Sequence, residues 1–367
     1  MRLLYVATDV FSKGGIPRYA RYQIRALQEI IGKENVIVYS FNSPDPSVAF
    51  EDSFFVHYIQ GDLTVVDKIV FLKKCLSAVN KYKIDVMLFN HVQLSIIGYI
   101  AKKLYGIKYI TNVYGLEIWT DIKKRSIIGL KNSDLILGDC NFILNYVEKN
   151  LNIERDKLRL LYDPVDVDRF KPIKVPDEIY EKYKIPRDKF IIMTTGRLDR
   201  YKGFGLVIET LPDLPDDVYY IIVGDGRDRK DLENLAKEKK VDNRVIFAGR
   251  VPEEDLVPLY NVCDVFVLVS KFGYGEGEGL PLTLIEAGAC EKPLICGNED
   301  GSVDAVEDGV NGFIISPQSN QLYEKIKILY KDREKLRNMG LKSRERVLKN
   351  FEYKIFKHII ADYLEKL

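Results

Sequence analysis

Glu278 and Glu286 stand eight residues apart in the segment SKFGYGEGEGLPLTLIEAGACEKPLIC, which runs from Ser270 to Cys296. Gly273, Gly275, Gly277 and Gly279 surround the first of them. Glycine reaches backbone conformations closed to other residues, so this loop can bring backbone and a carboxylate close to a ligand. Glu286 falls in the second turn of an apolar run of helical period, where an unpartnered carboxylate costs roughly several kcal/mol. It needs hydrogen-bond donors, and ribose hydroxyls would serve. Pro281 suits the first turn of that helix, and the N–H groups of Leu282 and Thr283 are then unsatisfied and turned toward whatever fills the space before it. Glu278, in a flexible loop, is expected to face the reactive end of the ligand.

Cations and further glycines follow other apolar runs. After KFIIMTTG comes GRLDRYKGFG, in which Arg197 and Lys202 flank a turn. Two cations at a strand end can clamp a diphosphate, although a solvated surface loop has the same composition. After RLLYVAT comes DVFSKGGIPRY. Gly14 and Gly15 allow close backbone approach, Pro17 suits a first helical turn, and the N–H groups of that helix offer a phosphate seat; an ordinary tight turn is the plainer alternative. Gly224 and Gly226 in GDGRDRKDLE lack the third glycine of a dinucleotide fingerprint and are expected to form a strand-to-helix turn. Of three histidines, His91 follows the run DVMLFN and is a candidate for substrate contact, while His57 and His358 are expected to be structural.

These side chains need a scaffold that puts strand ends side by side. Short apolar runs rich in Val and Ile alternate with longer helical segments, six in the first half of the chain and six in the second. Continuous rather than alternating apolar runs mean strands buried on both faces, hence parallel sheets covered by helices. Two sets imply two doubly wound domains, whose ligands sit at the carboxyl ends of strands. The segment DPVDVDRFKPIKVPDE, without period, separates them, and the tail from Gln321 is helical. The 367 residues are too many for one compact core. A formal net charge of +1 argues against a general nucleic-acid binder. MRLLYVATDVF has no export-signal pattern and no apolar run reaches spanning length. Five cysteines without a close pair are expected to be free, buried thiols of a cytoplasmic protein.

A family resemblance rests on these same residues. EGLPLTLIEAGACEKPLI resembles the E-x7-E segment of retaining GT-B glycosyltransferases of family four, also called group 1. GRLDRYKG is similar to that family's Arg/Lys phosphate clamp and GGIPRY to its N-terminal glycine loop. FAGRVPEEDLVPLYNVCDVFVLVS, EDGVNGFIISP and DPVDVDRFKP match further blocks in order. The resemblance implies an α/β chain of GT-B type, with two Rossmann-like doubly wound domains facing each other across a cleft. These are residues 1–165 on the acceptor side and 166–350 on the nucleotide-sugar side, with a helix at about 351–367 packing back on the first. It implies transfer of a sugar from a nucleotide-diphosphate donor, UDP- or GDP-linked, to a hydroxyl acceptor with retention of configuration. Arg197 and Lys202 would bind the diphosphate, Glu286 the ribose, Glu278 the region of the donor sugar, and Gly14 and Gly15 the diphosphate from the other domain.

The chain departs from the pattern in places. Tyr114, in VYGLE, stands where the family often has histidine, and either Asn90 or His91 matches a second histidine. Asp304 stands where glutamate is common. Asp166 and Asp168 spell a metal-binding D-x-D, but they lie in the separating segment and are expected to serve a turn or hinge; no metal or cofactor is expected. The missing histidine motivates one alternative, a catalytically silent nucleotide-sugar- or glycan-binding partner subunit. A nicotinamide-dependent dehydrogenase, the other alternative, lacks its fingerprint after the first strand. The basic segments TDIKKRSIIGLKN and IAKKLYGIK offer peripheral contact with an anionic membrane, or are ordinary solvated helices.

Overall fold

The computed structural model describes residues 1–12, 14–41, 56–58, 64–120, 122–273 and 276–367, with the backbone alone for 56–58. Gly275 and the His57 side chain lie outside the described residues. The chain divides into two compact units, Met1–Pro164 with Tyr353–Leu367, and Val165–Glu352.

In the first unit the strands are β1 (Leu3–Ala7), β2 (Val36–Ser40), β3 (Val56–Tyr58), β4 (Val86–Phe89), β5 (Lys108–Val113), β6 (Leu135–Gly138) and β7 (Leu158–Leu160). They pair in parallel in the order β3-β2-β1-β4-β5-β6-β7. Its helices are α1 (Gly15–Ile31), α2 (Val65–Tyr82), α3 (Ser95–Tyr105), α4 (Leu116–Trp119), α5 (Lys124–Lys131) and α6 (Asn141–Leu151). All five residues of β1 are buried. Because alternate side chains of a strand point to opposite faces, Leu3, Tyr5 and Ala7 join one core with Ile24 and Leu27 of α1. Leu4 and Val6 join the other with Phe71 of α2 and Ile97 of α3. The continuous apolar run thus serves two helical layers at once. The three-residue β3 is the strand that apolar patterning did not identify.

In the second unit α7 (Asp177–Lys182) precedes β8 (Phe190–Thr195), α8 (Phe204–Thr210), β9 (Val218–Val223), α9 (Arg229–Glu238), β10 (Val245–Gly249), α10 (Glu253–Val262) and β11 (Val265–Leu268). Then follow α11 (Leu282–Ala289), β12 (Leu294–Gly297), β13 (Gly312–Ile315), α12 (Ser319–Lys331) and α13 (Arg333–Asn350). This sheet is parallel in the order β10-β9-β8-β11-β12-β13. The last helix, α14 (Tyr353–Glu365), belongs to the first unit, where Phe356, Ile360 and Leu364 complete its core.

In both sheets the strand order reverses beside the first strand, between β1 and β4 and between β8 and β11. Adjacent loops diverge at such switch points and leave room for a ligand. The candidate residues follow those flanking strands: Gly14 and Gly15 after β1, His91 after β4, Arg197 and Lys202 after β8, Glu278 after β11. Asp166 Oδ1 accepts the N–H groups of Asp168 at 3.1 Å and Arg169 at 3.0 Å, closing a local turn. All five cysteines are free and buried. Among the described residues no helix is long and apolar enough to cross a membrane.

Candidate functional site

The turn after β8 is set by glycine. Gly203 has φ of 76°, and a Cβ there would come within 2.2 Å of the Val269 carbonyl oxygen. Only glycine lets this turn lie against the end of β11. The turn carries Lys202, whose Nζ donates to Glu278 Oε1. Both side chains of this ion pair are 14% exposed. Burial alone would lower the Lys202 pKa; the charge of Glu278, with Tyr201 and the hydrogen bonds, more than reverses this and raises it. Lys202 is therefore a cation held in place.

Arg197 donates from Nε to the buried Asp199. Asp199 also lies 3.2 Å from Arg227 Nε, and Arg227 Nη2 lies 2.9 Å from Glu276 Oε1. The Tyr201 phenol collects both halves of the group. Its pKa is raised first by burial and then by Glu278, with Lys202, Arg197 and Asp199 also acting on it. Lys202 Nζ stands 5.3 Å from the Tyr201 ring centroid. The structure thus brings Arg197, Lys202 and Glu278 together around Tyr201. The neighbouring turn after β9 supports them: Cβ atoms on Gly224 and Gly226 would meet Gly196 O at 1.9 Å and Leu198 O at 2.5 Å. Those glycines serve loop packing, in a strand-to-helix turn.

Two expectations for the glycine-rich stretch need correction. Gly273 has open space about its missing Cβ and no left-handed φ, so the backbone does not demand glycine there. Glu278 is not loosely held. Its N–H donates to Asp300 Oδ2 at 3.1 Å and its carbonyl accepts from Gly301 N at 3.1 Å.

Glu286 is buried in α11, 3% exposed. The donor it needs is already present in the protein: Tyr260 of α10 donates to Glu286 Oε2 at 2.8 Å. Burial, then Glu286, raises the Tyr260 pKa, so the phenol remains a donor. Pro281 is the N-cap of α11 rather than part of its first turn, and no side chain caps the helix. Leu282 and Thr283 are its first two residues and are half-buried.

In the first unit Gly14 is the N-cap of α1, and a Cβ on Gly15 would meet nothing within 4 Å. His91 caps a 3-10 turn through Nδ1, which accepts from Gln93 N at 3.2 Å. Burial lowers its pKa, with Glu117 opposing, so the imidazole is neutral near pH 7. Asn90 is fully buried and accepts the Thr8 N–H at 3.0 Å. Tyr114 is buried and its N–H donates to Glu117 at 2.7 Å. His358 stands exposed on α14.

A family model described as glycosyl transferases group 1 matches residues 176–346. The C-terminal unit belongs to the group 1 glycosyltransferases. The chain is 25% identical to N-acetyl-alpha-D-glucosaminyl L-malate synthase of Bacillus anthracis, over 70% of this chain and 68% of that one. It is 29% identical to a GDP-mannose-dependent alpha-(1-6)-phosphatidylinositol monomannoside mannosyltransferase of Mycolicibacterium smegmatis, over 52% of this chain and 51% of that one. The chain thus spans little more than half the length of most curated relatives it matches. The structure of Anabaena HepE in complex with UDP shares the fold, with a TM-score of 0.83, 19% identity and full coverage of both chains. The fold is GT-B.

Within the group 1 domain, sequence reading missed Asp199, Tyr201, Arg227, Tyr260 and Asp300. Tyr201 adjoins Lys202 and could have been found as the one aromatic in the cationic turn. Asp199 sits two residues from Arg197 in the same turn, whereas Arg227, Tyr260 and Asp300 reach the site through pairings between segments far apart in the chain, which no local spacing announces.

Proposed function

We propose that the chain is a retaining, metal-independent glycosyltransferase that moves a sugar from a nucleotide-diphosphate donor to a hydroxyl acceptor. One observation carries this: a group 1 domain in which Arg197, Lys202 and Glu278 converge on Tyr201 at the switch point of a parallel sheet. Arg197 and Lys202 would hold the diphosphate, and the N–H groups of Leu282 and Thr283 would add the positive end of α11. Glu286 would take the ribose hydroxyls. Gly14 and Gly15 are assigned phosphate contact and His91 substrate contact, on the resemblance. UDP- and GDP-sugars are the donors favoured, since HepE is seen in complex with UDP and the M. smegmatis relative is named for GDP-mannose.

In the reaction the bond from the anomeric carbon to the diphosphate lengthens first. The cations stabilise the charge growing on the leaving phosphate, and Glu278 faces the oxocarbenium-like centre. The acceptor hydroxyl attacks from the same face and gives its proton to the leaving phosphate, so configuration is retained. No protein nucleophile is assigned.

The proposed location is the cytoplasm, with peripheral contact at an anionic membrane. Exposed Leu104 and Tyr105 beside Lys103, and exposed Ile128 beside Lys124 and Arg125, support that contact. Sedimentation with phosphatidylglycerol vesicles but not with phosphatidylcholine vesicles tests it. The donor assignment is tested by a thermal-shift screen against UDP-, GDP-, ADP- and dTDP-sugars. A ligand at 100 times its Kd stabilises by about 2.7 kcal/mol; absence of any shift overturns the reading. A catalytically silent subunit would shift without turning over donor.

A further inference from the structure

Glu299 and Asp300 follow β12, and each accepts a backbone N–H from the glycine-rich loop. Glu299 Oε2 takes the N–H of Phe272 at 3.2 Å, and Asp300 Oδ2 takes that of Glu278 at 3.1 Å. Gly301 N–H returns to the Glu278 carbonyl at 3.1 Å, so the peptide groups on both sides of the Glu278 Cα are held. The anchor is itself fixed. Asp300 is fully buried, and its Oδ1 accepts from Ser302 N at 3.0 Å. Gly297, which ends β12, has no room for a side chain, because a Cβ would meet the Ser270 carbonyl oxygen at 2.6 Å. The two loops therefore abut along their backbones.

A buried carboxylate is a costly anchor. Burial, and then the charge of Glu278, push the Asp300 pKa up to about 6, against the pull of the N–H bonds. What the carboxylate supplies is two acceptor oxygens, one for each N–H. An asparagine of the same shape would turn its NH2 toward one of them.

We propose that Asp300, assisted by Glu299, is a positioning residue that fixes the Glu278 backbone so that its carboxylate stays beside Lys202 and the donor sugar. The proposal rests on the reading of Glu278 as the carboxylate at the donor sugar. The anchor is expected to act on the chemical step more than on nucleotide binding, since Glu286, which would bind the ribose, lies in the second turn of α11 and not on the anchored loop.

The test compares Asp300→Asn, Glu278→Gln and the double variant, by donor kinetics and by calorimetric titration with nucleoside diphosphate. Asp300→Asn should lower kcat at least tenfold and leave the nucleoside-diphosphate Kd within about threefold. The double variant should be no slower than Glu278→Gln alone, because both act through one group. If Asp300→Asn turns over donor within twofold of the wild type while Glu278→Gln is impaired, the positioning role is overturned and the reading of Glu278 stands. If Glu278→Gln is itself unimpaired, that reading fails and the positioning role with it. A loss of nucleotide affinity equal to the loss of kcat would show general loop damage and overturn the proposal. Should Asp300→Asn not fold, Glu299→Ala, at the half-buried far anchor, carries the same expectation.

Discussion

Lys202 and Glu278, 76 residues apart in sequence, form an ion pair that joins the turn after β8 to the loop after β11. Each partner is mostly sheltered from water, so the pair is screened far less than a surface one. An ammonium has three donors and can hold Glu278 while binding a phosphate oxygen. Lys202→Ala removes both functions and leaves a sheltered carboxylate without its cation. Donor kcat/KM should fall roughly ten- to a hundredfold or more, with the fold intact by circular dichroism. Unchanged donor kinetics would remove Lys202 from the site.

Glu286 and Glu278 should separate in their kinetic signatures. Contacts remote from the reacting carbon act on ground state and transition state alike. Glu286→Gln should raise the donor KM and weaken free nucleoside diphosphate. Tyr260→Phe, which deletes the phenol donating to Glu286, should do the same to a smaller degree. Calorimetric titration reads both; a nucleotide Kd unaffected by Glu286→Gln would contradict the ribose assignment.

Much of this was legible in the sequence for an identifiable reason. Parallel strands buried on both faces read as unbroken apolar runs, as LLYVA in β1 and VFVL in β11 do. That Glu286 is buried and needs a donor was legible because it falls inside an apolar helical period. Its partner was not, because Tyr260 lies on another helix and packing alone joins them. Asp300 was hidden for the same reason: NEDG reads as a turn, and its value lies in two N–H groups, one of them 22 residues back in the chain.

Gly203 should be sensitive to alanine and Gly15 tolerant of it. Gly203→Ala forces a left-handed backbone and a clash with Val269 O, a strain of roughly 1–3 kcal/mol or more. It should lower the melting temperature and weaken donor binding through Lys202. Gly15→Ala meets nothing and should leave the melting temperature within about a degree or two, on the scale of surface substitutions. Thermal denaturation of both variants checks this.

Asp163 gives a pH signature. Burial raises its pKa to about 7, with Arg18 opposing, against about 3.9 in an unfolded chain. The folded state then holds a proton that the unfolded state releases. Its stabilising contribution is full below pH 4 and is lost as pH rises through 7. Asp163→Asn cannot titrate, so between pH 5 and 8 its melting temperature should fall less than that of the wild type. Parallel curves for the two proteins would contradict the assignment.

Sugar transfer with retention is read out by following donor and product together. The protein is incubated with UDP-, GDP-, ADP- and dTDP-sugars after exhaustive EDTA treatment, with water or an added glycan as acceptor. Released nucleoside diphosphate is quantified and the anomer of the product is read by NMR. The expected result is nucleoside diphosphate from one base class, a product with the donor's anomeric configuration, activity that survives EDTA, and loss of turnover in Glu278→Gln. No release from any donor, an inverted product, or activity restored only by added manganese or magnesium would contradict it.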